Sequence, residues 1–406
     1  MSASESERAE YEYLQTPGAI RERCERMYEL ARLGQLEHFE LDESRLSEVA
    51  ERVLTLTRAL YPDLARIPYH GRYRHFDVGG VPRLAQLDQK IAHFSGEEQL
   101  AARFELVITS VLLDAGAGPN WRFRGADGGV YARSEGLAVA SYELFMSGLL
   151  GGSPRAPRAD VPGLTGLSAA ALANALQVSA DNPLTGLEGR AALLRRLGDV
   201  VALAPEYFGS SELARLGGLG VWLKHSARSG RLPARAILAA VLRELGPIWQ
   251  GRQRLAEQSL GDVWRHSRVG FVPFHKLSQW LTYSLFEPLE AAGVAIDGAS
   301  ELTGLAEYRN GGLFVDAGVL RLRDPSALGR VHPVASDLVI EWRAMTVALL
   351  DRAATLIRQN LGVSAEQLPL ACILEGGTWR AGRAIALEKR PDGSPPLQID
   401  SDGTVF

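Results

Sequence analysis

The sequence is poor in the residues and runs that would fix a class at once. Its two cysteines, Cys24 and Cys372, lie far apart, so no disulfide framework is implied. No CxxC, no HExxH and no other tight zinc-ligand spacing occurs, and no metal or redox cofactor is expected. No window reaches the roughly 18 uninterrupted apolar residues of a membrane-spanning helix. No basic run stands out and the formal net charge is −4, which makes nucleic acid a poor partner. GxxxxGK[ST] and GxSxG are missing, as is GxGxxG between a strand and a helix. Strands do not alternate with helices, which argues against a doubly wound α/β sheet. The first residues are acidic and polar where a signal peptide would be basic and then apolar. A reduced, cytoplasmic location is the expectation.

Helical periodicity and an apolar share of 46%, enough for a sizeable core in a soluble globular protein, are what the chain does have. Residues 1–16 are expected to form a flexible segment, with a helix open from Glu5, ahead of a single mainly α-helical domain over 17–406 with a few short strands. Thr16-Pro17 reads as an N-cap and first helical residue, with the helix running to about Leu33. Further helices are predicted over about 45–60, 104–113, 137–150 and 191–203, and from Leu232-Pro233 to about Leu245. Ser336 caps a long helix to about Leu361, with Leu338, Trp342, Met345, Leu349, Ala353 and Ile357 as its core stripe. Residues 66–83 look irregular, and His70, Arg72, Arg74 and His75 crowd them with three aromatics. Such a loop either binds something or is a solvated loop pinned by its aromatics. Gly209 to Gly220 reads as a flexible loop, and the tail from Pro396 as a small hairpin around Asp402-Gly403.

The chain is organised around Phe271 to Asp316. Leu277, Trp280, Leu281, Ser284 and Leu285 take the spacing of one helix face, and Lys276, Gln279 and Tyr283 fall on a second line. That polar stripe is expected to point into a shared pocket. Pro288 should kink or end the helix, with Ala291-Ala292-Gly293 closing it. Farther on, Glu307-Tyr308-Arg309-Asn310 precedes Gly311-Gly312. If this segment folds back, Lys276 and Glu307 meet, and a lysine nearby keeps a carboxylate ionised where burial favours the neutral form. An ionised carboxylate on a pocket floor suits glycosidic cleavage, because it can attack the anomeric carbon or stabilise a cationic sugar. A structural ion pair beside a Gly-Gly turn accounts for the same residues. In Leu374-Glu375-Gly376-Gly377-Thr378-Trp379-Arg380, glycines at an expected helix start beside arginines suit either an anion site or a structural turn.

Residues 270–280 and 302–316 resemble the uracil-catabolism protein family of fungi and bacteria, also catalogued as a domain of unknown function. Residues 110–118, 133–138 and 401–406 match as well, so the resemblance covers nearly the whole chain. It implies a role in the ring-opening route of pyrimidine breakdown, thought to pass through a ribosylurea. A weaker resemblance is to queuosine-nucleotide N-glycosylases, which carry Phe-Tyr-Lys-x-x-Gln and, about thirty residues on, Asp-Tyr-Arg. Phe274-His275-Lys276 with Gln279, and Glu307-Tyr308-Arg309, look similar, as does Pro183-Leu184 through Arg190. Those enzymes have a helical fold related to DNA glycosylases and use an Asp on the ribosyl carbon, where this chain has Glu307. Together the resemblances imply hydrolysis of the N-glycosidic bond of ribosylurea or its phosphate. Glu307 would be the nucleophile or cation stabiliser, paired with Lys276. Tyr308 or Asp316 would position water or ribose hydroxyls, and Arg309, Arg190, Arg380 or Arg383 would hold a phosphate. Gln279, His275 and Trp379 would be further substrate contacts. The partner implied is a small ribosyl molecule, with self-association open. The alternatives are a non-catalytic partner of a uracil-degradation enzyme or intermediate, and hydrolysis at the ureide end.

Overall fold

The computed structural model describes residues 4–153, 156–210, 214–249 and 252–400. Its first helices are α1 (Glu5–Leu14), α2 (Pro17–Arg32), α3 (Leu46–Leu60), α4 (Arg83–Ile91), α5 (Gly96–Leu113) and α6 (Arg133–Met146). Then come α7 (Val161–Thr165), α8 (Ala169–Ala175), α9 (Leu187–Leu203), α10 (Pro205–Phe208), α11 (Gly218–Ser226) and α12 (Ala234–Leu245). The last are α13 (Lys276–Ala291), α14 (Tyr308–Asp316), α15 (Asp337–Leu361), α16 (Leu370–Ile373) and α17 (Trp379–Lys389).

Strands are few-residue pieces: β1 (Phe39–Leu41), β2 (Arg122–Arg124), β3 (Val130–Ala132), β4 (Arg231–Pro233), β5 (Arg254–Leu255) and β6 (Gln258–Ser259). The others are β7 (Val263–His266), β8 (Gly270–Pro273), β9 (Ala295–Asp297), β10 (Leu320–Leu322), β11 (Val331–Pro333) and β12 (Gln398–Asp400). Among the described residues they form only two-stranded ladders. β1–β10, β2–β3, β5–β6 and β7–β8 are antiparallel, whereas β4–β9 and β11–β12 are parallel. Ladders this narrow cannot bury a sheet face, so helix packing makes the core. α15 packs on α2 and α3, α14 on α15 and α17, and α13 on α5 and α12. One apolar cluster runs through these contacts and takes in the whole expected stripe of α15.

Several boundaries follow from caps legible in the chain. Thr16 accepts from the Ala19 amide at 3.1 Å and Pro17 opens α2. Ser336 caps α15, which ends at Leu361 before a left-handed Gly362. α13 continues past Pro288 and ends at Ala291.

Other expectations need correction. Glu5–Leu14 is a helix, started by a capping box between Ser4 and Glu7 and held by Leu14, which is buried against Leu260 and Val263. The helix expected from Leu232-Pro233 to about Leu245 is α12, its start set at Ala234 because Arg231–Pro233 takes its backbone bonds in a ladder with Ala295–Asp297. Within the expected loop 209–220, α11 already begins at Gly218. Gln398–Asp400 pairs with Val331–Pro333, and the rest of the expected hairpin, 401–406, lies outside the described residues. Glu375 to Arg383 is no helix start: α16 passes through a π-helical turn, Leu374–Thr378, straight into α17. Its glycines serve close approach, since a Cβ on Gly382 would lie 2.1 Å from the Arg309 carbonyl oxygen.

Candidate active site

Glu307 is where α14 begins. Its carboxylate accepts from the Arg309 amide at 2.8 Å and the Asn310 amide at 2.6 Å, so the side chain caps its own helix. Two amides and the helix dipole favour the ionised form. Burial opposes them and is the larger influence: the Glu307 carboxyl is pushed above the usual range, against the pull of both amides and of Lys276. Lys276 is displaced the opposite way. Burial lowers it, while the charges of Glu307 and Asp114 pull it up. The two side chains sense each other yet form no direct ion pair. Tyr308 retains 36% of its surface, but desolvation is the main influence raising its phenol. Lys276 is likewise partly accessible and desolvated. Two partly accessible groups within the field of a buried carboxylate mark the candidate recess.

A clamp on α15 brings the two segments together. The buried Arg343 guanidinium grips Asp262 through both oxygens, at 2.7 and 2.8 Å, and its Nε donates to the Ala306 carbonyl at 3.2 Å. Asp262 in turn accepts from the Lys276 amide at 3.0 Å and the Trp264 indole at 2.8 Å. Arg343 thus fixes the residue before Glu307 and, through Asp262, the first residue of α13. Burial would raise Asp262, but the charge and hydrogen bonds of Arg343 outweigh it and hold the carboxyl at about 2. Gln279 accepts from the Thr303 amide at 2.9 Å and donates to its hydroxyl at 2.6 Å, and the Tyr283 hydroxyl donates to the Thr303 carbonyl at 2.9 Å. The expected polar stripe therefore docks the second segment, and only Lys276 of the three lines the recess.

The irregular loop supplies another wall. It lies against α13, where Ser284 accepts from the Arg72 amide at 2.8 Å. A Cβ on Gly71 would come 2.9 Å from the Ser284 Cα, so glycine is required for that approach. The buried Arg72 side chain pairs with Asp114, donates to the Ser134 carbonyl at 2.9 Å and lies 5.0 Å from the Trp280 ring centre. The Lys276 ammonium is 5.9 Å from the same ring. His70 meets Glu375 of the π-helical turn at 2.9 Å, and Glu375 also accepts from the Tyr61 hydroxyl at 3.2 Å. Burial would raise Glu375, but His70 and its neighbours hold it below the usual range. Burial and the Arg72 charge drop His75 to about 4, which leaves it neutral. Arg133 and His275, each just before a residue of this region, are left-handed at φ 55° and 45°. Such non-glycine conformations cost about 1–3 kcal/mol and cluster at functional sites.

The remaining predicted residues are spread out. The His275 ring is bonded to the Leu14 carbonyl at 3.0 Å and held neutral by burial. Asp316 sits at the far end of α14, about 13 Å from Glu307 at 1.5 Å per residue, and pairs with Arg390 at 2.5 and 2.8 Å. It is not brought into the recess. Each nitrogen of the Arg190 guanidinium donates to a carbonyl, on Leu113, Gly116 or Thr185, so Arg190 shapes the loop carrying Asp114. Arg309 is buried and donates to the Gly393 carbonyl at 2.6 Å. Arg380 is exposed, 3.7 Å from Glu375, and half-buried Trp379 lies beside it. Arg383 stacks 5.9 Å from the Trp379 ring.

Asp114, Glu375 and Arg343 were not singled out as site residues in the sequence. Asp114 and Glu375 lie in motifs noticed for other reasons, whereas Arg343 carries no signal on a helix that reads as core. Among the described residues, no group of three or more His, Cys, Asp or Glu is placed to hold a metal ion. None of the described helices is long and apolar enough to cross a membrane.

A family described as "Protein of unknown function (DUF1688)" matches residues 13–406. The chain is 40% identical over 396 aligned positions to Protein urg3 of Schizosaccharomyces pombe, covering 95% of the chain and 96% of the relative. It is 34% identical over 438 aligned positions to Uracil catabolism protein 4 of Lachancea kluyveri, covering 97% and 98%.

Proposed function

The chain belongs to the DUF1688 family, and from that membership we propose that it acts in uracil catabolism as a cytoplasmic, metal-independent N-glycosidase. The name of the Lachancea kluyveri relative supports the pathway. The observation that carries the reaction is the Glu307 carboxylate, buried in a recess with each oxygen held by one amide, and faced but not touched by Lys276. The space between them is where the ribosyl ring of ribosylurea or its phosphate is proposed to lie. The C1′–N bond breaks, the electron pair leaves with urea, and water adds to C1′. Glu307 stabilises the cationic sugar, through charge alone or through a covalent ester. Lys276 helps keep it ionised, and Tyr308 orients a hydroxyl or water. On this reading the helical fold is akin to that of the queuosine-nucleotide and DNA glycosylases. Arg380, exposed beside Glu375, is the proposed contact for a phosphate.

Glu307→Gln tests it, because the amide keeps volume and removes charge. Urea release from ribosylurea and its phosphate should fall by at least about 100-fold, the scale of one electrostatic group in an active site. Thermal melts should show the variant still folded. A folded variant that releases urea at the wild-type rate removes Glu307 from the mechanism. A wild type silent on both substrates points to the non-catalytic partner.

A further inference from the structure

We infer that His70, oriented by Glu375, is the proton donor to the departing nitrogen, and that the site is built for N-ribosides whose leaving group is too basic to depart unprotonated. The inference rests on the N-glycosidase reading and deepens it. A ureide is a strongly basic leaving group. A carboxylate that stabilises the sugar cation does nothing for that nitrogen, so a second group must supply a proton.

His70 is placed to do so. Its amide donates to the Ala371 carbonyl at 3.0 Å, which ties the loop to the helix carrying Glu375. Nδ1 faces the Glu375 carboxylate at 2.9 Å. A carboxylate there fixes the tautomer and stabilises the imidazolium, leaving Nε2 to carry the working proton. Nε2 has no protein partner among the described residues, although the ring is buried. The His70 charge also pulls on the Glu307 carboxyl, so the two groups work within one field. Tyr61 and Arg380 face Glu375, and His75 and Arg72 stand on the loop side. His75 is held neutral and does not compete for the proton. The π-helical turn re-aims Glu375 within an otherwise regular helix, a distortion common at functional sites.

The step balances without a further reactant. As C1′–N breaks, its electron pair stays on the urea nitrogen, which takes the proton from Nε2. Water then adds to C1′ from the side urea has left and returns a proton to the imidazole. Glu307 and Lys276 end as they began.

Leaving-group dependence tests this. Wild type, His70→Gln and Glu375→Gln are compared on ribosylurea and on p-nitrophenyl riboside, whose phenolate needs no proton. His70→Gln should lose about 10²–10⁴-fold on ribosylurea, the usual range for general acid catalysis, and only a few-fold on the activated substrate. Glu375→Gln keeps a hydrogen bond to Nδ1 without the charge, so it should show the same loss on ribosylurea alone, in smaller measure, even if His70→Gln folds poorly. Equal losses on both substrates in the two variants overturn the role of His70. Should wild type cleave neither substrate, the N-glycosidase reading itself falls and takes this role with it.

Discussion

The first turn of α13 stands between two hollows, and they differ in kind. On one side His275, Tyr11, Ala239, Leu242 and Trp249 line a cavity of about 960 Å³ beneath α1. On the other, Lys276, Glu307 and Tyr308 wall the recess. In the cavity Arg243 pairs with Glu244, and Arg254 donates to the Glu257 carbonyl. Tyr11 is shifted there by burial alone, whereas Asp262 and His275, which also line it, are pulled both ways by burial and by charge. In the recess, burial and neighbouring charges pull in opposite directions on Glu307, Lys276 and Glu375. Volume shows where a molecule fits, and what sets the recess apart is a buried carboxylate within the field of an ammonium with which it forms no ion pair.

The comparison breaks most sharply at Arg343. Arg343→Met leaves Asp262 buried without its cation, and removal of one partner of a buried pair costs about 3–5 kcal/mol. Chemical denaturation should show that loss, and turnover should fall with it as Ala306 and Lys276 lose their shared anchor. A variant of wild-type stability would mean that Arg343 does not assemble the recess.

Acid sharpens the same point. Asp262 is depressed from 3.8 to about 2 in the folded protein. Its stabilisation is therefore fully present above the unfolded value and is lost as pH falls from about 4 towards 2. A difference near two pKa units corresponds to roughly 2.5 kcal/mol. Asp262→Asn should flatten that part of a stability–pH curve, and an unchanged acid limb would assign it to other carboxylates.

The smallest effect belongs to the cavity. Ala239→Leu adds bulk to its wall from an exposed helical position. Turnover should stay within about two-fold and stability within about 0.5 kcal/mol, as for ordinary surface changes. A large loss of turnover would join the two hollows into one functional unit.

Much of the site was legible because it uses local rules. Glu307 ahead of an amide-rich helix start, and Lys276 at the head of a stripe, are matters of spacing. The docking role of Gln279 and Tyr283 was half legible: their common line was visible, but not that Thr303 would occupy it. Arg190 and Asp316 looked like binding groups because sequence does not show which carbonyls or counter-ions will claim a charge. The glycines of 376–382 suggested a loose helix start, since close packing against α3 and α14 is a long-range fact. The strand at Arg231–Pro233 depended on a partner beyond residue 290.

The Arg343 clamp also bears on the order of assembly. Asp262 and Arg343 are 81 residues apart in the chain, and Ala306 and Arg343 are 37 apart. Loop closure of that length is entropically slow compared with forming any single helix. Lys276 and Glu307 can each sit on a formed helix while the recess is still missing, until α15 docks and its guanidinium closes both loops at once. If the proposed activity belongs to this recess, it is then a late event in folding, and its recovery after dilution from denaturant should trail the recovery of helical signal.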